Sequence, residues 1–454
     1  MKIYHAADIH LGRQRLDGRL PEEDFATAFR FIAEQAVQQQ ADVFVLAGDL
    51  FDRPQVEPRH LRQAQEILHL LYRAKIPVVA IEGNHDKALI HSADSTWVGF
   101  LAQDGLLSLL RPQFGPEGAI LAEYDARAIR GSFLDVAGVR FVGGGYLGAA
   151  TPAKVRQIAA ALESNLKHVL LLHAGPDYFV GEGGGFSQED LAAVREKVAY
   201  VALGHIHKPM VYDNWACNPG SPENCDLRES AYSRNSDGTV VARGFAIVEI
   251  DPARPGRPVK LEVCSNPRRP VCHLEVDCTP FGNKLKEGES YFVKAVVKAI
   301  KEIGPAPDAV VEVRLSGYMN LNRISLDPGK ASVEISQAAN VFAVALDTSR
   351  LNFGQLATGI VSAPGMELSR EELEKQAIRN VAAEEPVCST AGNPEQCAAL
   401  FFELKEAVKI GRDPQALAEL IANSPLVEAL RASKQEVATA RAATPVPEAV
   451  QVGI

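Results

Sequence analysis

Short apolar runs alternate with amphipathic helical patterns over residues 1–265 of the chain. Six of these runs have the length of buried strands. They are Ile3–Ala6, Asp42–Ala47, Val78–Ile81, Val139–Val142, His168–Leu172 and Ala199–Leu203. Strands and helices that alternate in this way predict a layered α/β domain over residues 1–265.

Two of the segments between the strands carry apolar residues at helical spacing. The first has a single apolar face formed by Phe25, Phe29, Ile32 and Ala36. The second has a wider stripe formed by Leu61, Ala64, Ile67, Leu68, Leu70 and Leu71. A wide stripe can pack on the helix's own domain or contact a second copy of the chain. The second helix is predicted to lie in the core, with a dimer contact as the alternative.

The pattern changes at a hinge-like stretch, Cys264–Cys272, which holds two prolines and two arginines. Residues 266–355 then give an apolar segment at Val271–Val276, a helical pattern and an alternating strand at Val311–Leu315. The apolar side of that helix is formed by Phe292, Val296, Ala299 and Ile303. This stretch is predicted to be a small separate α+β domain.

Residues 356–432 are predicted to form C-terminal helices. Ser369 and Glu372 have the spacing of a capping box that opens one helix. A second helix carries Leu400, Phe401, Leu404 and Val408 on one face. Asp413 and Pro414 can begin a third. Residues 433–454 are rich in Ala, Pro and Val without a period, and are predicted to be disordered.

The composition is that of a globular chain with 46% hydrophobic residues. Its seven cysteines are scattered without a Cys-x-x-Cys pair, which is typical of reduced thiols in a cytosolic protein. No apolar run approaches the ~18 residues of a membrane span, and the N-terminus lacks the pattern of a secretory signal. We therefore expect a cytoplasmic protein without a membrane segment.

The formal net charge of −10 argues against a chain that coats nucleic acid by itself. If DNA is the substrate, local basic loops, metal ions or a partner must supply the attraction. No Walker motif is present, so any ATP dependence must come from a partner protein.

Metal-capable side chains follow five of the predicted strands, usually beside a glycine. The motifs are "DIHLG", "GDLFD", "GNHD", "HAG" and "GHIH". Because ligand sites of layered α/β sheets form at the carboxyl ends of strands, these side chains are expected to meet. The expected cluster consists of Asp8, His10, Asp49, Asn84, His85, His173, His205 and His207.

Carboxylate, amide and imidazole groups of this kind suit a pair of divalent cations that activate water and neutralise a phosphoryl group. A ligand set without thiolate favours manganese, iron or zinc. Each residue also has a purely structural interpretation when taken alone, such as a helix cap for Asp8 or a turn former for Asp49. The occurrence of all five motifs together favours the metal site.

These motifs resemble those of the calcineurin-like metallophosphoesterase superfamily. Within it, "HAADIHLG" and "ALGHIHKP" followed by "NPGSPE" are similar to the SbcD-type nuclease subunit of SbcCD-type DNA double-strand-break repair complexes. The resemblance covers about the first 250 residues. It implies a four-layer β-sandwich flanked by helices, a capping domain at residues 266–355, and C-terminal helices at 356–432 that hold an SMC-like ATPase.

The resemblance also implies a role for each residue of the cluster. Two divalent ions, Mn²⁺ by family preference, would be bound. The first would be held by Asp8, His10, Asp49 and His207, and the second by Asp49, Asn84, His173 and His205, with Asp49 bridging. His85 would stabilise or protonate the leaving oxygen, and Asp86 would orient His85.

Four further residues are candidates for substrate contact. Arg13 and Arg15 follow the first motif, Arg53 follows the second, and Ser221 lies in the turn after the last. Such arginines can meet DNA phosphates, although solvated loops often carry them as well.

Three functions remain open from the sequence. The leading one is a manganese-dependent DNA exonuclease and endonuclease that works in break repair with an SMC-like ATPase, as a homodimer. The alternative is a stand-alone metallophosphoesterase for small phosphodiesters such as cyclic nucleotides, because the same site serves both reactions. A non-enzymatic scaffold with a vestigial site is disfavoured by the complete set of motifs.

Overall fold

The computed structural model describes residues 1–87, 96–164, 167–181, 184–234, 239–253, 256–279, 289–319, 327–353, 378–379, 394–409, 412, 414–425 and 427. The chain divides into two compact units. One consists of Met1–Leu274, Ile300–Glu312 and Ser336–Ala345, and the other of Glu275–Ala299, Val313–Ile335 and Leu346–Ile454.

Two six-stranded sheets form the centre of the first unit. Strands are numbered in chain order. The first sheet has the order β14 (Lys260–Ser265), β13 (Gly244–Glu249), β1 (Lys2–Ala6), β2 (Val43–Ala47), β3 (Val78–Ile81) and β4 (Ser108–Leu109). The second has the order β11 (Met210–Tyr212), β12 (Ala216–Asn218), β10 (Val198–Gly204), β9 (His168–His173), β8 (Val139–Gly145) and β7 (Phe133–Val136). A separate hairpin joins β5 (Gln113–Gly115) to β6 (Gly118–Ile120).

Helices cover the outer faces of the two sheets. They are α1 (Glu23–Gln38), α2 (Pro58–Arg73), α3 (Trp97–Gln103), α4 (Thr151–Ala161), α5 (Asp177–Val180) and α6 (Gln188–Arg195). Side chains of both sheets pack together between them, including Ile3, Val45, Val79, Phe141, Val169 and Leu171. Helices α1 and α2 pack on the first sheet, and α4 and α6 pack on the second. The result is the predicted four-layer sandwich.

The six strands predicted from the sequence are all present, and their observed ends differ by a few residues at most. The apolar face of α1 is buried as expected. In α2, Ala64, Ile67, Leu68 and Leu71 are buried in the core beneath the first sheet. The wide stripe of α2 is therefore core, whereas its role in a dimer stays a prediction.

A three-stranded sheet with the order β15 (Val271–Asp277), β16 (Val310–Met319) and β17 (Ala343–Phe353) follows the sandwich in the chain. Helices α7 (Glu289–Ile303) and α8 (Pro328–Ala339) lie between these strands in sequence. In α7 the buried side includes Phe292, Val296 and Ile300. Ile303, predicted on this face, is 48% exposed because it ends the helix.

The C-terminal region contains α9 (Pro394–Lys409) and α10 (Pro414–Ala422). In α9, Cys397 and Leu400 are buried, but Phe401 and Val408 are 53% and 61% exposed. The predicted capping box at Ser369 and the predicted disordered tail 433–454 lie outside the described residues. Among the helices that the structure describes, none has the length and apolar character needed to cross a membrane.

Candidate metal centre

The predicted cluster lies where the parallel strands of both sheets end. Strands β1, β2 and β3 run parallel in the first sheet, as do β8, β9 and β10 in the second. Hydrogen bonds join the two rims. The carboxylate of Asp8 accepts from the backbone N–H of His205 at 2.9 and 3.1 Å, and Nδ1 of His173 donates to the carbonyl of Ala47 at 2.8 Å. The strand ends of both sheets thus contribute to one site.

The backbone is strained where it delivers these side chains. Asp8, His10, Asp49 and His205 have φ angles of 55°, 52°, 52° and 89°, in the left-handed region that non-glycine residues seldom adopt. Each such residue costs about 1–3 kcal/mol and persists only when the surrounding structure enforces it. Strain at four residues of one cluster indicates a site shaped for a task beyond stability.

The first expected ligand group is compact. Nε2 of His10 lies 3.1 Å from Nε2 of His207 and 3.8 Å from Oδ2 of Asp49. Ligand atoms of Asp8, His10 and Asp49 all lie within 4.8 Å of one another. The structure therefore brings together the four residues expected at the first position.

The second expected group meets around the side-chain oxygen of Asn84. This Oδ1 lies 2.9 Å from Nδ1 of His205 and 3.2 Å from Nε2 of His173. Oδ2 of Asp49 lies 3.1 Å from the same nitrogen of His173. Asp49 thus stands between the two groups, as a bridging carboxylate would.

The donor set fits two divalent cations. Imidazole and carboxylate ligands bind such ions at about 2.0–2.2 Å, so neighbouring ligand atoms around one ion lie roughly 3 Å apart. The spacing of 2.9–3.2 Å seen among His10, His207, Asn84, His173 and His205 agrees with that value. A cation would also resolve the close approach of two imidazole nitrogens, only one of which can donate to the other.

Electrostatic coupling within the cluster is strong. Burial opposes a charge on His173, but the ion pair with Asp49 outweighs it and raises the pKa of His173 to about 9. Burial would raise the pKa of Asp49, yet His173 and His10 hold it well below its usual range. Burial and the charge on His173 lower the pKa of His205 to about 4. Protons and metal ions therefore compete for the same atoms.

Two carboxylates that the sequence did not single out support the first group. Oε1 of Glu229 accepts from Nδ1 of His207 at 2.7 Å, and Oδ1 of Asp52 lies 3.3 Å from Nδ1 of His10. Such partners fix the tautomer and orientation of a ligating imidazole. Asp52 was visible as the last residue of "GDLFD", whereas nothing local in the sequence marked Glu229.

Glu229→Gln is expected to weaken Mn²⁺ binding by about 10- to 100-fold. The amide carries no charge and has one acceptor oxygen, while both carboxylate oxygens of Glu229 are used, by His207 and by the N–H of Cys225. Isothermal titration with Mn²⁺ measures the change. Glu66→Gln, on the exposed Arg30–Glu66 pair, is the control. Unchanged affinity in Glu229→Gln would contradict the supporting role.

His85 lies at the site, but its orientation has a different cause from the one predicted. Nδ1 of His85 donates to the backbone carbonyl of Asp52 at 2.7 Å. The carboxylate of Asp86 instead accepts from the backbone N–H groups of Gly83, Phe51 and, at 3.3 Å, of Leu50.

The predicted role of Asp86 is therefore corrected. It ties the loop after β3 to the loop after β2, and does not hold the imidazole of His85. Complete burial and the nearby charge of Asp49 raise the pKa of Asp86 to about 7, against the backbone donors that lower it.

Two of the four predicted substrate contacts are structural. Arg15 is buried, with ion pairs to Asp24 at 2.8 Å and Glu223 at 3.1 Å. Ser221 is also buried, and its hydroxyl donates to the carbonyl of Glu223. Neither side chain is available to a substrate, because both are buried and engaged within the fold.

The other two remain accessible beside the site. Arg13 is partly exposed and pairs with Asp52 at 3.1 Å, and Arg53 is 65% exposed. Their guanidinium groups stay candidates for phosphate contact.

Gly83→Ala is expected to lower turnover by about 10- to 100-fold, since a 1 Å misplacement in an active site can cost that much. A Cβ at this position would overlap Oδ1 of Asp49 and push the carboxylate out of place. Steady-state kinetics with a phosphodiester substrate measures the effect. The control is Gly115→Ala, whose Cβ would meet the flexible end of Ile120 at 3.2 Å. Full activity in Gly83→Ala would mean that the position of Asp49 does not matter.

The sandwich with ligands at its shared rim is a metallophosphoesterase fold. Residues 1–209 match the family model described as calcineurin-like phosphoesterase, and this part of the chain is a calcineurin-like phosphoesterase domain.

Three curated relatives are similar to the chain. "DNA double-strand break repair protein Mre11" of Archaeoglobus fulgidus is 34% identical over 261 residues, 55% of this chain and 57% of that protein. The protein of the same name from Aeropyrum pernix is 29% identical over 46% of this chain and 50% of its own length. The SbcD component of the nuclease SbcCD from Rhodobacter capsulatus is 26% identical over 70% of this chain and 86% of that protein. The chain spans about half the length of the first two relatives.

Proposed function

We propose that the protein is the nuclease subunit of a DNA double-strand-break repair complex. In this proposal it hydrolyses phosphodiester bonds of DNA as an exonuclease and endonuclease, with two divalent ions, Mn²⁺ by preference. The names of the relatives, which specify break repair and a nuclease subunit, support the choice of substrate.

The observation that carries the proposal is the position of Asp49 between two sets of ligand atoms. Its Oδ2 is 3.1 Å from Nε2 of His173 and 3.8 Å from Nε2 of His10. One carboxylate in this position can bridge two ions about 3.5–4 Å apart, which is the spacing of two-metal phosphoesterase sites. Asp8, His10 and His207 would complete one shell, and Asn84, His173 and His205 the other.

When bound, the two ions supply a water of lowered pKa and neutralise charge on the phosphoryl group. The chain's own contribution to the reaction centres on His85. Its Nδ1 is engaged by the carbonyl of Asp52, so Nε2 is the nitrogen left for the substrate. A protonated His85 gives this proton to the leaving oxygen, and the carbonyl of Asp52 stabilises the imidazolium by accepting from Nδ1.

The basic side chains next to the site are few. Arg13 and Arg53 flank Asp52, and we propose that they meet DNA phosphates. With a net charge of −10, the chain needs such local contacts, or a partner, to hold DNA. The same charge is the observation that favours the second candidate, a phosphodiesterase for small substrates such as cyclic nucleotides.

The two functions are separated by parallel assays in Mn²⁺, one on linear duplex DNA and one on cyclic nucleotides. Each is run with and without a co-purified ATPase. DNA cleavage that disappears on chelation and returns with Mn²⁺ is expected. Robust cyclic-nucleotide turnover without DNA cleavage under either condition would reverse the choice.

We further propose that the C-terminal helices bind the SMC-like ATPase. Phe401 and Val408 are spaced by seven residues, so both lie on one face of α9, and more than half of each is exposed. Apolar side chains in this arrangement suit a helical partner. The homodimer stays a prediction.

Phe401→Glu is expected to reduce recovery of the ATPase in co-purification to background, because a charge would be buried in an apolar contact. Nuclease activity of the isolated subunit should be unchanged. Val259→Glu, which alters a 69% exposed side chain elsewhere, is the control. Equal recovery of the ATPase with Phe401→Glu and with the native chain would contradict this interface.

A further inference from the structure

A cysteine sulfur lies within reach of the first ligand group. One ligand atom from each of Cys225, His10 and His207 falls within 4.8 Å of the other two. Cys225 is 5% exposed and has no disulfide partner. Its backbone is fixed from the same side as the imidazole. Glu229 accepts from the N–H of Cys225 at 2.9 Å with one oxygen and from Nδ1 of His207 at 2.7 Å with the other.

The surroundings of this sulfur are those of a ligand as well as of a packed side chain. Cys225 packs at the edge of the apolar core that α1 and α2 form on the first sheet. Nδ1 of His10, also buried, lies near Asp52 but makes no hydrogen bond among the described atoms, so rotation of this ring breaks none at that nitrogen. Two imidazoles and one thiol form a soft donor set, unlike the carboxylate and amide groups around the second position.

We propose that Cys225, His10 and His207 form a Zn²⁺-binding site that overlaps the first of the two metal positions. The inference rests on the proposed function for His10 and His207, and adds Cys225 as the residue that determines metal selectivity. A tetrahedral zinc ion takes sulfur at about 2.3 Å and imidazole nitrogen at about 2.0–2.1 Å, which places its ligand atoms within about 4 Å of one another. Small side-chain rotations bring the observed atoms to that spacing.

Binding at this site exchanges a proton for a metal ion. The thiol of Cys225 loses its proton to solvent, and the thiolate forms the bond to zinc. Zinc then occupies atoms of His10 and His207 that manganese would otherwise use. Thiolate ligands favour zinc strongly over manganese, so zinc should exclude manganese from the first position but not from the second.

Cobalt(II) is the probe for the sulfur ligand, because a cobalt–thiolate bond gives a charge-transfer band in the near ultraviolet, separate from the visible d–d bands. The native protein is expected to show both. Cys225→Ser should lose the charge-transfer band and keep the d–d bands. Cys264→Ser, at a partly exposed cysteine on β14, should keep both.

The outcomes separate this inference from the proposed function. Visible d–d bands without a charge-transfer band in the native protein would overturn the role of Cys225 and leave a metal site of nitrogen and oxygen ligands intact. Absence of all cobalt bands would contradict the metal centre itself.

Competition between metals provides a second readout that does not depend on activity. Cys225→Ser is expected to weaken Zn²⁺ binding by at least about tenfold and to leave Mn²⁺ affinity unchanged. Equal losses for both metals would mean that Cys225 only packs against the site, and would overturn the selectivity role. Thermal unfolding of the metal-free variants verifies that the fold is retained.

Discussion

Asp49→Ala is expected to remove both metal positions together and to reduce phosphodiester hydrolysis by about 10³-fold or more. Loss of two-metal stabilisation of the transition state costs several kcal/mol, and each 1.36 kcal/mol is a factor of ten in rate. Asp49 is the residue whose oxygen lies near ligands of both groups, and its other oxygen accepts from the backbone N–H of His85 at 2.9 Å. Manganese stoichiometry and turnover are the measurements.

The matched control is Asp42→Ala, which removes an exposed carboxylate just before β2 that accepts from the backbone N–H of Lys2. Its stoichiometry and turnover should equal those of the native chain. An Asp49→Ala protein that still binds two ions would contradict the bridging role.

His85→Ala is expected to keep both metal ions and to lose turnover by about 10²-fold or more. The imidazole is held by the carbonyl of Asp52 and by no expected ligand of either ion, so its removal should affect proton transfer and not metal binding. Measurements of kcat on DNA and of manganese stoichiometry test this directly.

A phosphodiester with a p-nitrophenyl leaving group makes the test sharper. This group departs without a proton, so His85→Ala should lose far less activity on it than on DNA. Equal losses on both substrates would mean that His85 acts other than as an acid. The control is His69→Ala, at an exposed histidine on α2 that contacts only its own helix turn.

The strands and the residues that follow them could be predicted because both signals are local. A run such as Val43–Ala47 can only be buried, and its end fixes where Asp49 emerges. The convergence of His173 and His205 with Asp49 follows from parallel strand order, a general property of layered α/β folds.

The supporting contacts could not be predicted, because they join residues far apart in the chain. Glu229 reaches His207 across 22 positions, and Arg15 is paired with Glu223 across 208. The same limitation explains the wrong expectation for Asp86, whose neighbour in sequence, His85, is not its partner in space.

The left-handed conformations of Asp8, His10 and Asp49 were also not apparent from sequence. Residues of these types are tolerated there, but only the fold requires them to adopt it. Strain at these positions should make the metal-free protein less stable than its loaded form, since ligand binding to the folded state adds to the free energy of unfolding.

The measurement that tests the two-metal site most directly is electron paramagnetic resonance of the protein titrated with Mn²⁺, with stoichiometry determined in parallel. Two ions that share one carboxylate are expected to bind per chain and to give an exchange-coupled spectrum. A single ion per chain, or two ions with the uncoupled spectra of distant sites, would show that the side chains gathered around Asp49 do not form a shared metal centre.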